Sequence, residues 1–153
     1  MRKALLLTLL LYSSASGELY KPIEQAYQRS SRAMALKFVD GVHSIRDRNF
    51  ELLDPDGTPV PLPVERARLE QLLLPALRIE ESHRVVQSNS SPSQVDCRVR
   101  FTTRVRLLDT AKRKPLELKM DTECQDRWVR RGQEWKLLRS QVLLQESSRS
   151  QAP

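Results

Sequence analysis

Two stretches in the second half of the chain alternate between apolar and charged side chains. Residues 95–107 read VDCRVRFTTRVRL, and residues 116–124 read LELKMDTEC. Because successive side chains on a β-strand point to opposite faces, each stretch has one apolar and one charged face. The pattern predicts two neighbouring antiparallel strands that cover a core on one side and meet solvent on the other.

The charges and the sulfurs predict how these two strands pair. If Arg104 faces Glu117, then Cys97 faces Cys124, whereas a slip of two residues sets Arg104 against Lys119. Opposite charges on facing residues stabilise a sheet by about 0.2–1 kcal/mol per pair. The first register therefore predicts a disulfide between Cys97 and Cys124 on the core face. Two buried free thiols are the alternative, because directly opposed strand cysteines can be strained.

The next hairpin is predicted to turn at residues 130–132, a three-residue loop that ends in a glycine. Pairing outward from this loop sends Trp128 to the core face. It sends Trp135 and Leu137 to the outer face, where they form an apolar spot. Such a spot fits a homodimer contact, and isolated surface side chains are the alternative.

The rest of the chain predicts an α+β fold, in which helices pack in the concavity of one strongly curved antiparallel sheet, a cone-like barrel. The turn signal Asp54-Pro55-Asp56-Gly57 separates the first two strands. One domain is expected over residues 18–146, followed by a disordered tail over 147–153. The helices are predicted over 18–37, 39–45 and 63–77, and the strands over 49–53, 58–62, 79–88, 95–108, 116–129 and 134–145.

Residues 1–17 have the order of a signal peptide. Arg2 and Lys3 are followed by the apolar stretch Ala4–Tyr12 and the small-residue stretch Ser13–Gly17. The chain is therefore expected to be secreted or periplasmic, and a buried N-terminal helix is the alternative. No later segment is apolar enough to predict a membrane span.

Composition weakens several classes of function. The formal net charge is +7, but the arginines of the charged strand face acids, and no aromatic residues alternate with them, so no nucleic acid is expected as a partner. With two cysteines and two histidines in no zinc-like spacing, no metal site is expected. The chain has only four glycines and no phosphate-binding loop, and no cofactor is expected.

The order of these elements resembles the nuclear transport factor 2-like superfamily, which includes SnoaL-like polyketide cyclases and ketosteroid isomerases. The resemblance covers about residues 19–145, and its best local matches are 40–42, 49–57 and 126–136. It implies a cone whose concave face holds a pocket for a small molecule.

The resemblance also implies roles for two acids. Asp54 falls where ketosteroid isomerases place their general base, and Asp126 falls where they place a protonated aspartic acid in the oxyanion hole. Strand alternation agrees that both face inward. Each has a structural alternative: Asp54 opens a turn, and Asp126 pairs with Lys136. The candidate ligand contacts are Tyr27, Ser30, Thr122 and Trp128.

Three functional hypotheses remain open. The first is an exported domain that binds a small apolar or partly polar ligand and has no assigned reaction. The second is an acid–base enzyme, an isomerase, cyclase or dehydratase, that uses Asp54 and Asp126. The third is an interaction module or homodimer that associates through Trp135 and Leu137.

Overall fold

The computed structural model describes residues 19–152, so the predicted signal peptide lies outside the described residues. The described part has three helices and six strands. The helices are α1 (Lys21–Ala35), α2 (Val39–His43) and α3 (Leu62–Leu73). The strands are β1 (Arg46–Leu53), β2 (Pro59–Val60), β3 (Arg78–Ser90), β4 (Gln94–Asp109), β5 (Lys114–Arg131) and β6 (Glu134–Gln151). The predicted α+β class is confirmed.

The strands form one six-stranded sheet in the order β2-β1-β6-β5-β4-β3. The sheet is open, with β2 and β3 at its edges, and does not close into the predicted barrel. Its β1–β6 pair is parallel, so the sheet is mixed and not fully antiparallel. The other pairs are antiparallel, and register shifts mark bulges at Val86 in β3 and at Leu138 and Leu143 in β6, which increase local twist.

The first helix forms where the apolar spacing predicts it. One face of the helix is buried and carries Ile23, Ala26 and Tyr27, which are spaced three or four residues apart. Pro22 lies in the first turn, where a backbone N–H would have no partner within the helix. The helix ends at Ala35, and the positive φ of Lys37 reverses the chain direction. The third helix ends at Leu73, two residues before Pro75, and is shorter than predicted.

A glycine allows α2 to approach α1. A Cβ atom on Gly41 would lie 2.5 Å from Cδ1 of Phe38 and 2.8 Å from Cβ of Ala33. Any larger residue would push the short helix away from α1. The close approach of the two helices also positions Val42 of α2, which lines a cavity inside the fold.

The predicted register of β4 and β5 is wrong by two residues. Cys97 faces Asp126, Cys124 faces Val99, and Arg104 faces Lys119. The turn decides this: Asp109 is the last paired residue of β4, and its Oδ1 accepts the backbone N–H groups of residues 111 and 112 at 3.1 and 3.2 Å. That side chain holds a four-residue loop, and the loop length sets the pairing.

Most of the charge complementarity survives in the observed register. Arg100 faces Glu123, with Nη2 2.7 Å from Oε2, and Arg106 faces Glu117. Arg98 reaches the same Glu123 diagonally at 3.2 Å. Because long side chains reach diagonal partners, charge pairing selects weakly between registers that differ by two residues.

The turn between β5 and β6 also differs from the prediction. It has two residues, Gly132 and Gln133, and Gly132 has a φ of +63°. The observed pairing brings Leu137 opposite Trp128, and both are buried. The outer-face position predicted for Leu137 is therefore wrong. Trp135 is half-buried against the same core and stacks on Tyr20 at 5.7 Å between ring centroids, so the proposed dimer spot is not formed.

The predicted disordered tail is strand as far as Gln151. Ser147 pairs with Met120, and Gln151 pairs with Leu116 at the far end of β5. The last strand thus continues beyond the expected boundary at residue 146. None of the helices within residues 19–152 has the length and apolar character to cross a membrane.

Candidate functional site

A cavity of about 160 Å³ lies between α1 and the inner face of the sheet. Its wall combines apolar side chains with a few polar ones, and it draws on both helical and strand elements. The lining residues are Tyr27, Ser30, Met34, Val42, Ile45, Arg46, Phe50, Leu52, Glu81, Phe101, Asp126, Leu137 and Ser140.

Asp126 is the most buried acid of this wall, with a relative exposure of 2%. The hydroxyl of Tyr27 donates to its Oδ2 at 2.6 Å, and the hydroxyl of Ser140 donates to its Oδ1 at 2.6 Å. Each carboxyl oxygen therefore has a donor, which offsets part of the cost of taking the group out of water. The indole Nε1–H of Trp128 in turn donates to Tyr27 Oη at 2.9 Å and completes a buried network.

Burial raises the pKa of Asp126 from its ordinary value of 3.8 to about 6, although the hydrogen bonds from Ser140 and Tyr27 and the positive charge of Arg46 act in the opposite direction. The desolvation of the charged carboxylate is the larger effect. Asp126 therefore changes its protonation state at mildly acidic pH. Burial and the neighbouring Asp126 also raise the pKa of Tyr27 well above its ordinary value, so the phenol stays a donor.

Aromatic rings hold Tyr27 in place. Its ring centroid lies 5.0 Å from Trp128, 5.6 Å from Phe101 and 5.1 Å from His83. His83 faces inward from β3, and its Nε2 is 2.8 Å from Glu24 Oε1. The phenol is thus clamped between α1 and the sheet with its hydroxyl directed at Asp126.

Glu81 is a second acid on the cavity wall. Its Oε1 accepts a hydrogen bond from Ser31 at 2.9 Å, and its Oε2 accepts one from Thr103 at 3.0 Å. Burial raises the pKa of Glu81, because desolvation outweighs these two bonds. Sequence reasoning missed this residue. The available signal was its alternation with Ile79, which is buried on the same face of β3.

Arg46 lies on the wall nearest the first strand. Its guanidinium makes two hydrogen bonds to Glu65, at 2.7 and 3.0 Å, and lies 4.3 Å from the centroid of the Phe50 ring. Only 15% of the Arg46 side chain is exposed. The two hydrogen bonds to Glu65 and the contact with the Phe50 ring stabilise this largely buried cation and fix its position.

No protein-family model matches the sequence, and no curated protein matches it. Solved structures do match the fold. A conserved protein from Planctomyces limnophilus has a TM-score of 0.65 at 18% identity, over 83% of this chain and 95% of that one. LinA has a TM-score of 0.62 at 13% identity, over 86% of this chain and 87% of that one. A candidate scytalone dehydratase from Novosphingobium aromaticivorans has a TM-score of 0.63 at 12% identity, over 86% of each chain.

The chain has the nuclear transport factor 2-like fold. These TM-scores show the fold that the sequence resemblance implied.

The nuclear transport factor 2-like fold brings only some of the predicted site residues together. Tyr27, Ser30 and Asp126 line the cavity, whereas Trp128 lies behind Tyr27 and Thr122 is not among the lining residues. Asp54 is half-buried in the turn after β1, where its backbone pairs with residues 57 and 58, and it does not line the cavity. Three polar residues that the sequence did not predict, Arg46, Glu81 and Ser140, also line the cavity.

The structural alternative for Asp126 is not observed. Lys136 donates to the carbonyl oxygen of Ser44 at 3.2 Å and lies 3.4 Å from Glu134, away from the buried acid. Within the described residues, no group of three or more His, Cys, Asp or Glu side chains is arranged to hold a metal ion.

The predicted disulfide is absent from the described residues. Cys97 and Cys124 are both free and buried, because the observed register sets each of them opposite a different residue. Burial, reinforced by the charge of Asp126, raises the pKa of each thiol to about 12. Both thiols are therefore expected to be unreactive in the folded protein.

A thiol count checks this correction. The intact mass should be the same with and without reductant, and titration in denaturant should find two thiols, whereas the folded protein should react slowly. A gain of two hydrogens on reduction would show that the cysteines are bridged after all.

Proposed function

We propose that this protein binds a small ligand in the interior cavity, a molecule of about one ring that carries a hydroxyl or carbonyl group. The observation that carries the proposal is the fully buried Asp126, held by Tyr27 and Ser140 on the wall of a cavity between α1 and the sheet. Desolvating an acid is costly, and a ligand site is a common reason for a protein to do so.

The size of the cavity limits the ligand. Drug-sized ligands occupy pockets of roughly 300–1,000 Å³, whereas an engineered apolar cavity of about 150 Å³ in another protein accommodates benzene. The 160 Å³ available here thus fits one ring, and a fused bicyclic ligand would not fit without movement of the wall.

The wall chemistry favours an amphipathic ring. Met34, Phe50 and Phe101 supply apolar surface, while Ser30 and Asp126 supply polar groups that can form a further hydrogen bond with a hydroxyl or carbonyl group. A protonated Asp126 donates a hydrogen bond and an ionised one accepts, so the site can serve either type of ligand group as the pH changes.

Phenol is a suitable probe, with toluene as an apolar molecule of the same size and 1-naphthol as a larger one. Phenol should shift the NMR resonance of the Trp128 indole N–H, because that group is bonded to Tyr27. Toluene should bind more weakly, and 1-naphthol should not bind. The variant Ser30→Leu, which fills the cavity, should weaken phenol binding at least about tenfold.

Ser82→Leu is the matched control, since Ser82 is exposed and does not line the cavity. It should leave the phenol affinity unchanged. An absence of any phenol-dependent shift at Trp128, or equal loss of binding in both leucine variants, would contradict a ligand site in the interior.

Export to the periplasm or the cell exterior forms part of the proposal. It is supported by the charge, apolar stretch and small residues that follow one another in residues 1–17. The exported protein should begin at Glu18, which N-terminal sequencing would check, and an intact leader would contradict export by this route.

A second candidate function is acid–base catalysis on the same ligand. It is favoured by one observation: two carboxyl groups with raised pKa values, Asp126 and Glu81, line one cavity. Such a pair can divide the roles of acid and base. One of the fold neighbours is a hexachlorocyclohexane dehydrochlorinase, whose name describes an elimination reaction.

Cyclohexanone in D2O tests this second candidate. A base in the cavity would remove a proton from the carbon next to the carbonyl, and return of a deuteron would give a deuterated ketone visible by NMR. Glu81→Gln should abolish the exchange while phenol binding is retained. If the natural protein binds cyclohexanone without exchange, the catalytic candidate fails and the binding proposal stands.

A further inference from the structure

The four most exposed large apolar side chains of the described residues lie at one end of the fold. Leu74 is 76% exposed, Leu36 72%, Leu77 60% and Phe38 56%. We call these four residues the apolar tip. Single exposed leucines are ordinary on a protein surface, whereas several large apolar side chains exposed on adjoining segments mark a candidate interaction surface.

Fixed contacts bring the two halves of the tip together. Leu36 and Phe38 flank Lys37 at the end of α1, and the ammonium group of Lys37 donates to the carbonyl oxygen of Ala76. Leu74 and Leu77 lie on either side of that residue, beyond the end of α3. The backbone N–H of Leu77 also donates to Arg106 on β4 at 2.8 Å, so the segment is anchored to the sheet.

The tip is not explained by the core beneath it. Met34, Leu73, Ala76 and Ile79 fill that core and are buried, whereas the tip residues project outward from the same segments. Removing the apolar surface of the tip from water would stabilise a complex by roughly 25 cal/mol per Å². In the single chain this surface stays exposed to solvent.

Basic residues adjoin the tip, both along the chain and on β4. Among the described residues, Lys37 forms no salt bridge, and Arg106 faces Glu117 on β5 without forming one. Arg78 lies opposite Arg106 across the strands, and its own charge is balanced by Glu80. The turn that follows β4 adds the basic stretch 112–114. The end of the molecule that carries the tip is therefore apolar with a basic margin.

This combination selects one occupant among the possible ones. A second copy of the tip would bring the two basic margins together, which is unfavourable. Nucleic acid is recognised by stacking aromatics, and three of the four tip residues are leucines. An anionic bilayer accepts leucine and phenylalanine at the acyl boundary and lysine and arginine among its headgroups. We propose that the apolar tip docks this protein on the surface of anionic lipid bilayers.

Vesicle flotation tests the proposal with the chain from Glu18 onward, which contains the helices and strands of the described residues and lacks the apolar leader. The protein should float with phosphatidylcholine vesicles that contain phosphatidylglycerol, and much less with phosphatidylcholine alone. Raising the salt from about 0.1 to 0.5 M should reduce binding several-fold, because the basic margin is screened. The double variant Leu74→Glu/Leu77→Glu should bind at least about tenfold more weakly.

The matched control is Leu143→Glu/Leu144→Glu on β6, two exposed leucines away from the tip, which should float like the natural sequence. Thermal unfolding should show that both double variants remain folded. No flotation of the natural chain, equal flotation on both kinds of vesicle, or equal loss in both double variants would overturn the proposal. A concentration-dependent dimer that only the tip variant abolishes would overturn it in favour of self-association.

Discussion

The free energy of unfolding of the natural protein is expected to decrease by about 3 kcal/mol as the pH rises from about 4 to 7, and Asp126→Asn is expected to abolish this decrease. The pKa of Asp126 is about 6 in the folded protein, above the 3.8 of an ordinary aspartic acid. The folded state therefore holds the proton more tightly than the unfolded chain. The resulting stabilisation is fully present below about pH 3.8 and is lost as the pH rises through 6, at about 1.4 kcal/mol per pH unit.

The asparagine variant keeps the shape and can still accept from Tyr27, while its amide donates to Ser140, so its network stays satisfied without a titrating group. Urea unfolding of both proteins at several pH values gives the difference in unfolding free energy. Burial also raises the pKa of Glu81, but Glu81 is present in both proteins. Its contribution therefore cancels in the difference, which reports Asp126 alone.

Asp121→Asn on the outer face of the same strand is the control. A hydrogen bond from Lys119 lowers the pKa of Asp121, so its stabilisation is present above the ordinary value and is lost as the pH falls through the folded value. Its variant should thus differ from the natural protein in pH dependence only at more acidic pH. A constant difference between Asp126→Asn and the natural protein from pH 4 to 7 would show that Asp126 is not a desolvated acid.

Trp128→Ala is expected to destabilise the protein by about 3–5 kcal/mol, a large part of the stability of a domain this size. Trp128 has no exposed surface, packs edge-on against Tyr27 and supplies the donor to its hydroxyl. The substitution therefore creates a cavity and removes a hydrogen bond from the buried network. Urea unfolding monitored by circular dichroism measures the change.

Two further variants separate the two contributions. Trp128→Phe keeps most of the ring but removes the N–H, and it should cost about 1–3 kcal/mol. Trp135→Ala removes the same side chain from a half-buried position on Tyr20 and should cost less than Trp128→Ala. Equal losses for the two alanine variants would indicate that Trp128 is not the centre of the core.

Local signals in the sequence were sufficient for the elements. The apolar spacing around Tyr27 predicted α1, the four residues from Asp54 predicted a turn, and strand alternation predicted that Asp126 and Trp128 face the core. These predictions rest on helical and strand periods, which operate within a few residues. The ends of the elements were predicted less accurately. The helix α3 ends at Leu73 and not at residue 77, because a proline such as Pro75 can either end a helix or distort its last turn.

The register could not be obtained in the same way. Surface charge pairs contribute less than about 1 kcal/mol each, and Arg98 and Arg100 both reach Glu123 in the observed pairing. The length of the loop after Asp109 decided the register instead, and with it the separation of the cysteines. The two-residue turn at Gly132 likewise moved Leu137 from the predicted outer face to the core.

The sequence alone determined the α+β class and the inward position of Asp126, because both follow from local periodicity. The family of folds entered through a resemblance in the order of these elements. Only the tertiary structure decided which groups meet that acid. Tyr27 lies 99 residues away on α1, and Ser140 reaches it from the neighbouring strand. Distances between such side chains depend on helix docking, turn length and strand register together, and none of these is encoded within one segment.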